Sequence, residues 1–312
     1  MARSRAVDAR EPGQIREEAA LSEAAHAPRV SLAGAQPGGT LEASVSTKGA
    51  RSTLFSMRLA LATCDWLPDL DPDDAPLRAA LGEVAEPAVW SDPDVDWSAY
   101  DVVLIRSIWD YFERHDEFLA WLDRLAVPTW NPIDTLRWNS EKTYLRELEA
   151  KGIRTIPTAW EGEVPWEEAI IKPTVAGGSL GLRRAEKGEP VEPGFMAQPF
   201  IPDVVNAGEL SLVFFDGEFS HAVRKTPADG DIRVQPEHGG TVEAAEPTAD
   251  ELSAAERVLA AADRELLYAR VDFVGDTLLI ELEAIEPRFF FSSAPGGAER
   301  RLVDALRARV PS

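Results

Sequence analysis

The sequence predicts a mixed α/β and α+β fold, in which an N-terminal α/β domain with a parallel sheet precedes an α+β region. Three observations lead to this prediction. Strand and helix patterns alternate between Met57 and Trp130. An apolar strand that contains Lys172 runs into a glycine-rich turn. A hairpin from Tyr268 to Ala284, near the C-terminus, carries acidic side chains on one face.

Composition limits the class of protein. The chain has 312 residues, 45% hydrophobic and 28% charged, so it can bury a core for two or three globular units. A net charge of −22 opposes non-specific nucleic-acid binding and favours a small-molecule partner. Cys64 is the one cysteine, and the four histidines show no zinc-type spacing. No apolar run approaches a membrane span. We expect a cytoplasmic protein that binds neither nucleic acid nor membrane. The oligomeric state is left open, with a homo-oligomer as one option.

Residues 1–56 differ from the rest of the chain. They are rich in Ala, Ser, Gly and charge, have Phe55 as their one aromatic residue and show no sustained period. We predict that they are disordered. Because the first strand begins abruptly at Met57, this methionine is a candidate for the true translation start.

The elements of the first domain follow from periodicity and from glycine stops. Helical spacing of Phe118, Leu119, Leu122 and Leu125 predicts one helix, and Gly82 ends a shorter one before it. The predicted order is strand 57–63, helix 74–81, strand 84–90, strand 102–105, helix 115–125 and strand 127–130.

The loop after the third strand is a candidate substrate site, because open parallel sheets bind ligands beyond the carboxyl ends of their strands. Its candidate residues are Arg106, Ser107, Trp109 and Asp110. A second interpretation is a structural loop, in which a helix cap and a packed tryptophan explain the same residues.

The next segment has the features of a phosphate loop. A helix capped by Ser140 and ended by Gly152 carries Lys142, and a strand at 153–160 leads to the apolar strand that ends near Lys172. Glycines let backbone N–H groups approach phosphate oxygens, and a lysine adds a point charge. The small residues behind the lysine are Gly177, Gly178, Ser179 and Gly181.

The same turn also fits G-x-S-x-G, the nucleophile elbow of α/β-hydrolases. Ser179 would be the nucleophile and His238 the base, with Asp216 or Asp231 as the third member. That elbow must open a helix, whereas residues 182–190 predict a short strand and end at a proline. A flexible loop over phosphates is therefore the preferred interpretation, with the hydrolase as the alternative.

The C-terminal hairpin offers a metal site. With a two-residue turn at 275–276, side-chain alternation places Asp272, Glu281 and Glu283 on one face. A hard cation such as Mg²⁺ would remove the repulsion between these carboxylates. In this register Arg270 lies opposite Glu281, so the alternative is a solvated face with a cross-strand ion pair. The opposite, buried face would consist of Val271, Phe273, Leu278, Ile280 and Leu282.

Over about residues 57–312, these features resemble the ATP-grasp family. Six blocks follow the order of that family, at 139–142, 171–181, 197–201, 208–211, 231–240 and 272–283. The resemblance implies an ATP-grasp fold in three parts. They are a Rossmann-like N-terminal domain at 57–138, a small lid subdomain at 139–201 and a catalytic subdomain at 202–312.

The resemblance also implies ligands and roles. ATP would bind with Mg²⁺, or with Mn²⁺ as an alternative ion, and the three hairpin carboxylates would hold the metal. Lys142 and Lys172 would hold phosphates, and Lys172 and Arg233 would take catalytic roles at the transferred phosphoryl group. Glu209 would bind ribose, with Asp203 as a rival. The residues beside adenine would be Gln198, Phe200 and Ile201.

Within the family, residues 90–93 and 106–111 resemble the cyclo-ligases of cycloserine biosynthesis, on the glutathione-synthetase-like branch. The implied activity is an ATP-dependent carboxylate–amine or cyclising ligase that activates a small carboxylic acid as an acyl phosphate. A nucleotide-binding regulator without turnover is the alternative. Two positions stand apart: Glu283 replaces an asparagine common in relatives, and Arg288 is either a grip for a substrate carboxylate or an exposed arginine.

Overall fold

A computed structural model describes residues 57–309. The segment 1–56, predicted to be disordered, lies outside the described residues, and the role of Met57 as translation start stays a prediction. Within the described range, no helix is long and apolar enough to cross a membrane. The strands in this range form three sheets.

The N-terminal sheet is parallel, as the alternating pattern predicts. Its strands are β1 (Leu59–Thr63), β2 (Ala85–Val89), β3 (Val102–Ser107) and β4 (Thr129–Trp130), in the order β2-β1-β3-β4. Its helices are α1 (Ala75–Leu81), α2 (His115–Arg124) and α3 (Ile133–Asn139). The strands and the first two helices confirm the predicted elements, whereas α3 has no counterpart in the prediction.

Strand β1 is buried along its whole length because both faces of the sheet are covered. Leu59 and Leu61 belong to one core cluster, and Ala60 and Ala62 belong to another on the opposite face. This placement leaves the loops at the carboxyl ends of the strands as the accessible part of the sheet.

The middle sheet has three antiparallel strands in the order β6-β5-β7. They are β5 (Ala169–Pro173), β6 (Arg183–Ala185) and β7 (Phe195–Pro199), and helix α4 (Tyr144–Ala150) precedes them. The predicted cap of this helix is wrong, because Ser140 is the C-cap of α3. Helix α3, which ends at this cap, was not visible in the apolar spacing of the sequence.

The strand predicted at 153–160 is also wrong. Thr155 bridges to Leu279 in one sheet, and Ala159 bridges to Ala197 in another. Pro157, between them, has no backbone N–H to donate to a ladder. The segment therefore crosses from one sheet to the next instead of pairing along its length.

The large sheet has five antiparallel strands in the order β10-β9-β8-β11-β12. They are β8 (Glu209–Phe215), β9 (Glu218–Thr226), β10 (Thr241–Ala245), β11 (Tyr268–Val274) and β12 (Leu278–Glu283). Its helices are α5 (Asp203–Asn206), α6 (Ala249–Ala262) and α7 (Ala298–Arg309). The three sheets fall within the ranges 57–138, 139–201 and 202–312, while the division into three units at these boundaries stays a prediction.

The acidic hairpin forms from β11 and β12, but its turn differs from the predicted one. Val274 pairs with Leu278, so the turn has three residues, Gly275, Asp276 and Thr277, instead of two. Gly275 and Thr277 both adopt a φ of 55°. A threonine rarely adopts this left-handed conformation, which is why the sequence favoured the shorter turn.

A bulge then shifts the register further along the hairpin. Asp272 pairs with Glu281 and Phe273 pairs with Leu279, so Ile280 has no partner across the ladder. Leu279 consequently takes a fully buried position, and Ile280 is only half-buried. The predicted pattern of buried residues on β12 is wrong for this reason.

The shifted register also changes the partner of Arg270. It lies opposite Glu283 and not opposite Glu281. The alternative of a solvated face is wrong as well, because Arg270 is only 5% exposed. The hairpin thus carries a buried cation between its acidic side chains.

Asn131 fixes the parallel sheet to the large sheet. Its fully buried amide donates to the carbonyls of Tyr268 and Ala284 at 2.9 and 2.8 Å and accepts from the N–H of Leu267 at 2.6 Å. The Tyr268 hydroxyl adds to this joint. It lies 2.9–3.0 Å from the carbonyls of Ile105, Trp130 and Ile285.

We expect Asn131→Ala to lower the free energy of unfolding by about 3 kcal/mol, because two carbonyls and one N–H would stay buried without a partner. Urea denaturation of the full chain measures this change. Asn206→Ala, at an exposed position on α5, is the matched control and should shift stability little. A loss below about 1 kcal/mol would show that the joint is not held by this amide.

Candidate active site

Two lysines from different elements meet beside the hairpin. Lys172 lies in β5 and Lys142 lies between α3 and α4, and both are less than a tenth exposed. Lys142 Nζ lies 3.0 Å from Glu281 Oε1 and donates to the Ala176 carbonyl at 2.6 Å. Burial lowers the pKa of Lys172 to about 8, and Glu281 and Lys142 act on that pKa in opposite directions. The structure therefore pairs Lys142 with a hairpin carboxylate whose charge also acts on Lys172.

The glycine loop lies between these lysines and the N-terminal domain. Gly178, Ser179 and Gly181 have φ values of 58°, 63° and 72°. A Cβ atom on Gly177 would stand 2.8 Å from the ring of Phe112, on the loop after β3. Glycine is thus required at 177 by the close approach of an aromatic ring, not by backbone conformation.

The hydrolase alternative is wrong. The loop leads into strand β6 and not into a helix, so Ser179 does not stand on a nucleophile elbow. The two candidate acids are also engaged elsewhere, since Asp231 binds Arg233 and Asp216 binds Arg309.

A buried chain of opposite charges crosses the large sheet near the lysines. Asp272, only 3% exposed, accepts from Arg270 Nη2 at 2.8 Å and from Lys225 Nζ at 3.1 Å. Lys225 also lies 2.9 Å from Glu209, and Arg270 also pairs with Glu283. Burial alone would raise the pKa of Asp272, but Arg270 and Lys225 hold it well below its usual range. Asp272 therefore stays ionised in the core of the site.

The predicted metal ligands have the right chemistry but are paired with cations. Among residues 57–309, no group of three or more His, Cys, Asp or Glu side chains is arranged to hold a metal ion. The side chains of Glu281 and Glu283 are each 25% exposed, so neither is fully enclosed. A divalent ion would share the charge now balanced by Lys142 and Arg270. Hard oxygen donors of this kind fit Mg²⁺ or Mn²⁺.

The carboxylate of Glu283 is affected by the charges around it. Burial raises the pKa of Glu283 to about 7, with Arg270 opposing this effect and Glu281 and Asp272 adding to it. A bound cation would favour the charged form of Glu283.

Arg270 is the candidate that sequence reasoning missed. It bonds to Asp272 and Glu283 together and donates to the Arg288 carbonyl at 3.2 Å. The signal was present in the chain, because residues 270 and 272 share one face of a strand. The predicted register lacks the bulge, and in it Arg270 has only the alternative role of a surface ion pair with Glu281.

The predicted adenine residues follow one another at the end of β7. Gln198 is 1% exposed, its Nε2 donates to Thr158 Oγ1 at 3.0 Å, and its Oε1 is buried without a hydrogen-bond partner among the described residues. The guanidinium of Arg184 lies 4.5 Å from the ring centroid of Phe200, and Ile201 is half-buried beside it. Their contact with adenine stays a prediction.

Arg233 lies in the loop between β9 and β10. Its Nε and Nη2 donate to Asp231 at 3.0 and 2.7 Å, and these bonds hold the pKa of Asp231 well below its usual range. Asp203, the rival ribose residue, stands at the start of α5 against Gly275 in the hairpin turn. The catalytic role of Arg233 stays a prediction, as does the choice between Glu209 and Asp203.

Two predicted substrate residues, Arg106 and Ser107, are buried, and both donate hydrogen bonds to the same carboxylate, that of Asp74. Arg106 Nε donates to Asp74 Oδ1 at 2.9 Å, and Ser107 Oγ donates to Asp74 Oδ2 at 3.0 Å. Arg106 Nη2 also donates to the carbonyl of Pro287 at 3.0 Å. Both are at most 2% exposed, so here they join the parallel sheet to the loop after β12. Their contact with substrate stays a prediction.

Trp109 and Arg288 stand together on the open side of that loop. The Arg288 guanidinium lies 4.6 Å from the Trp109 ring centroid and pairs with Asp71 at 3.1 Å and Glu237 at 2.8 Å. Its side chain is 21% exposed. The alternative of a freely exposed arginine is therefore wrong, and the structure gives Arg288 a defined position at the cleft.

Asp110 has a packing role in this structure. It is 2% exposed and accepts from Trp90 Nε1 at 2.6 Å, while its second oxygen lies 3.7 Å from Arg114. Burial raises the pKa of this carboxyl. A direct role with substrate stays a prediction.

We expect Gly177→Ala to lower the free energy of unfolding by about 1 kcal/mol or more, because its Cβ would overlap the Phe112 ring. In a Phe112→Ala background, Gly177→Ala should lower the free energy of unfolding much less. A double-mutant cycle by urea denaturation measures this coupling. Gly178→Ala is the control: open space surrounds it but its φ is +58°, so its cost should not depend on Phe112. Additive effects at 177 and 112 would contradict the contact.

Two parts of the chain match known protein families. Residues 59–131 match the family described as "D-cycloserine synthetase DcsG, N-terminal domain". Residues 185–290 match the family described as "Prokaryotic glutathione synthetase, ATP-grasp domain". The predicted substrate loop lies in the first match, and the acidic hairpin lies in the second.

Whole-chain relatives agree with these matches. Cycloserine biosynthesis protein DcsG of Streptomyces lavendulae is 30% identical over 300 residues, which are 81% of this chain and 98% of that protein. Glutathione synthetase of Agrobacterium fabrum is 25% identical over 218 residues, which are 63% of this chain and 68% of that protein.

Solved structures show the same fold. The crystal structure of D-cycloserine synthetase DcsG has a TM-score of 0.69 at 28% identity and covers 80% of this chain and 99% of that chain. D-alanine–D-alanine ligase from Bacillus anthracis has a TM-score of 0.57 at 15% identity and covers 81% and 99%, which supports the fold alone. The predicted fold is confirmed, and the chain belongs to the ATP-grasp family, whose members are ligases that form carbon–nitrogen bonds.

Proposed function

We propose that this enzyme is an ATP- and Mg²⁺-dependent carboxylate–amine ligase that activates a small carboxylic acid as an acyl phosphate. The observation that carries the proposal is the electrostatic link between the two lysines and the hairpin carboxylate Glu281. Lys142 bonds to Glu281, and the charge of Glu281 acts on Lys172. Cations for phosphates and oxygen donors for a metal are needed side by side in phosphoryl transfer.

Each part of the site has a proposed task. Lys142, Lys172 and the glycine loop hold the phosphates, and Gln198, Phe200 and Ile201 line the adenine. Glu209 is the ribose candidate. When bound, the metal ion would neutralise charge between the phosphate oxygens and the carboxylates of Asp272, Glu281 and Glu283.

Arg270 and Lys225 preorganise the buried part of this site. Both touch Asp272, so its charge and position are fixed before nucleotide binds. Fixed charges of this kind cost no reorganisation when negative charge moves onto the transferred phosphoryl group. We propose Arg270, together with Arg233, as a stabiliser of that charge.

The substrate side is formed by the N-terminal domain and the loop after β12. Trp109 and Arg288 offer an aromatic face and a guanidinium at the cleft. Because the N-terminal region matches that of a D-cycloserine synthetase, we propose a small amino-acid-like acid as substrate. A ring-closing reaction is the first form to test, and intermolecular ligation is the second.

The proposed acyl phosphate can be trapped. With ATP, Mg²⁺ and a panel of small amino acids, hydroxylamine should convert the activated acid into a hydroxamate, and ADP should be released with it. Lys172→Ala should reduce this ADP release by at least a hundredfold, whereas Lys187→Ala, an exposed lysine on the same sheet's outer turn, should not. Tight ATP binding without hydroxamate from any acid would contradict a ligase and support a nucleotide-binding regulator.

The pKa of Lys172 predicts how ATP affinity depends on pH. Its pKa of about 8 means that the free protein carries the charged lysine below pH 8 and loses it above. Since the phosphates bind the charged form, the Kd for ATP should rise about tenfold between pH 7 and pH 9. Titration calorimetry measures it. Lys172→Arg keeps its charge at both values, so a pH dependence that persists in this variant would contradict the assignment.

A further inference from the structure

The loop that follows β12 is held in place by its backbone. Five carbonyls between Ala284 and Phe289 accept hydrogen bonds from buried side chains. The donors are Asn131 to Ala284, Tyr268 to Ile285, Arg106 to Pro287, Arg270 to Arg288 and His221 to Phe289. All five donors are at most 5% exposed. The loop is therefore a fixed support for the side chain of Glu286, which lies between these bonds along the chain.

The Glu286 carboxylate lies between the glycine loop and the hairpin. Its Oε1 is 3.7 Å from where a Cβ of Gly177 would stand, and its charge acts on the buried Tyr111 hydroxyl. The side chain is partly exposed. It thus borders the space into which the predicted phosphates and the substrate carboxylate would enter.

Glu286 differs from the other acids of the site because, among the described residues, no cationic side chain pairs with it. Glu281 pairs with Lys142, Glu283 pairs with Arg270, and Asp272 pairs with both Arg270 and Lys225. Within the part of the chain that the structure describes, no lysine, arginine or histidine nitrogen stands within ion-pair distance of Glu286. An enclosed carboxylate without a cation is unfavourable, so this position favours a positively charged ligand group.

The proposed substrate class indicates which cationic group Glu286 would bind. In an amino acid, the ammonium group is separated from the reacting carboxylate by only two bonds. A carboxylate that recognises it must therefore lie next to the phosphate and metal positions, where Glu286 lies. On the phosphate side the nearby side chains are the cations Lys142 and Lys172, which would repel an ammonium group, and the glycine loop brings no charged side chain of its own.

We propose that Glu286 binds the ammonium group of an amino-acid-like substrate and selects it over the acid that lacks this group. This inference rests on the proposed ligase function and assigns one determinant of its specificity. A charge-assisted hydrogen bond of this kind should favour the amino compound at least tenfold in affinity. The support from buried donors means that the carboxylate is in place before substrate arrives.

Two pairs of compounds test the inference by binding alone. D-alanine is compared with propionate, and D-cycloserine with isoxazolidin-3-one, each in the presence of ADP and MgCl₂. Calorimetric titration of the full chain gives the Kd ratio within each pair. The proteins are wild type, Glu286→Gln, which removes the charge at nearly constant shape, and Glu246→Gln as an exposed control with the same change.

The expected result is a wild-type preference of at least tenfold for an amino compound, retained in Glu246→Gln and reduced to about twofold or less in Glu286→Gln. No preference in wild type would overturn the inference, and so would a preference that Glu286→Gln retains. The Mg²⁺ concentration for half-maximal ADP binding should be equal in wild type and Glu286→Gln. A rise in that concentration would instead make Glu286 a metal ligand.

These outcomes are separate from the test of the ligase itself. If wild type and Glu286→Gln behave as expected but no acid yields ADP and hydroxamate, the recognition stands and the reaction fails. If hydroxamate forms equally well from propionate and D-alanine, the ligase stands and the role of Glu286 fails. Unchanged ADP affinity in Glu286→Gln shows that the variant is folded.

Discussion

The buried pairing of Asp272 with Arg270 and Lys225 is the constraint on which the site depends. Three charged groups, two on β11 and one on β9, are enclosed together, and each would be strongly unfavourable without the others. Their pairing links β9 to β11 across β8, which lies between them. It also extends outward, since Arg270 reaches Glu283 and the Arg288 carbonyl. The accessible carboxylates and the substrate loop therefore take their positions from one buried network.

A second set of polar contacts carries this arrangement to the N-terminal domain. Asn131 and the Tyr268 hydroxyl join the parallel sheet to the large one, and Arg106 joins Asp74 to the loop after β12. Apart from the Arg106–Asp74 pair, whose residues are 32 apart, these buried polar groups have partners more than a hundred residues away. The substrate side and the nucleotide side are thus built on a common frame, and a ligase needs this because the two substrates must meet at fixed distance.

The sequence predicted the features that local patterns determine. Alternation gave the parallel sheet, and the lysine before a glycine turn and the carboxylates two apart on a strand indicated the site. It did not predict what depends on distant partners. The bulge at Ile280 has no sequence marker, so the register and the partner of Arg270 were wrong. Likewise nothing local reveals that Asp74 receives the side chains of both Arg106 and Ser107, because it lies 32 and 33 residues before them.

In the proposed function, a lysine of the middle sheet and a carboxylate of the hairpin belong to one nucleotide site. The most direct measurement is a double-mutant cycle on Lys172 and Glu281, with the Kd for ATP in the presence of Mg²⁺ as the readout. If the two act together, the effects of Lys172→Ala and Glu281→Gln should be non-additive, with a coupling of at least about fivefold. Effects that multiply independently, within about twofold, would contradict a shared site.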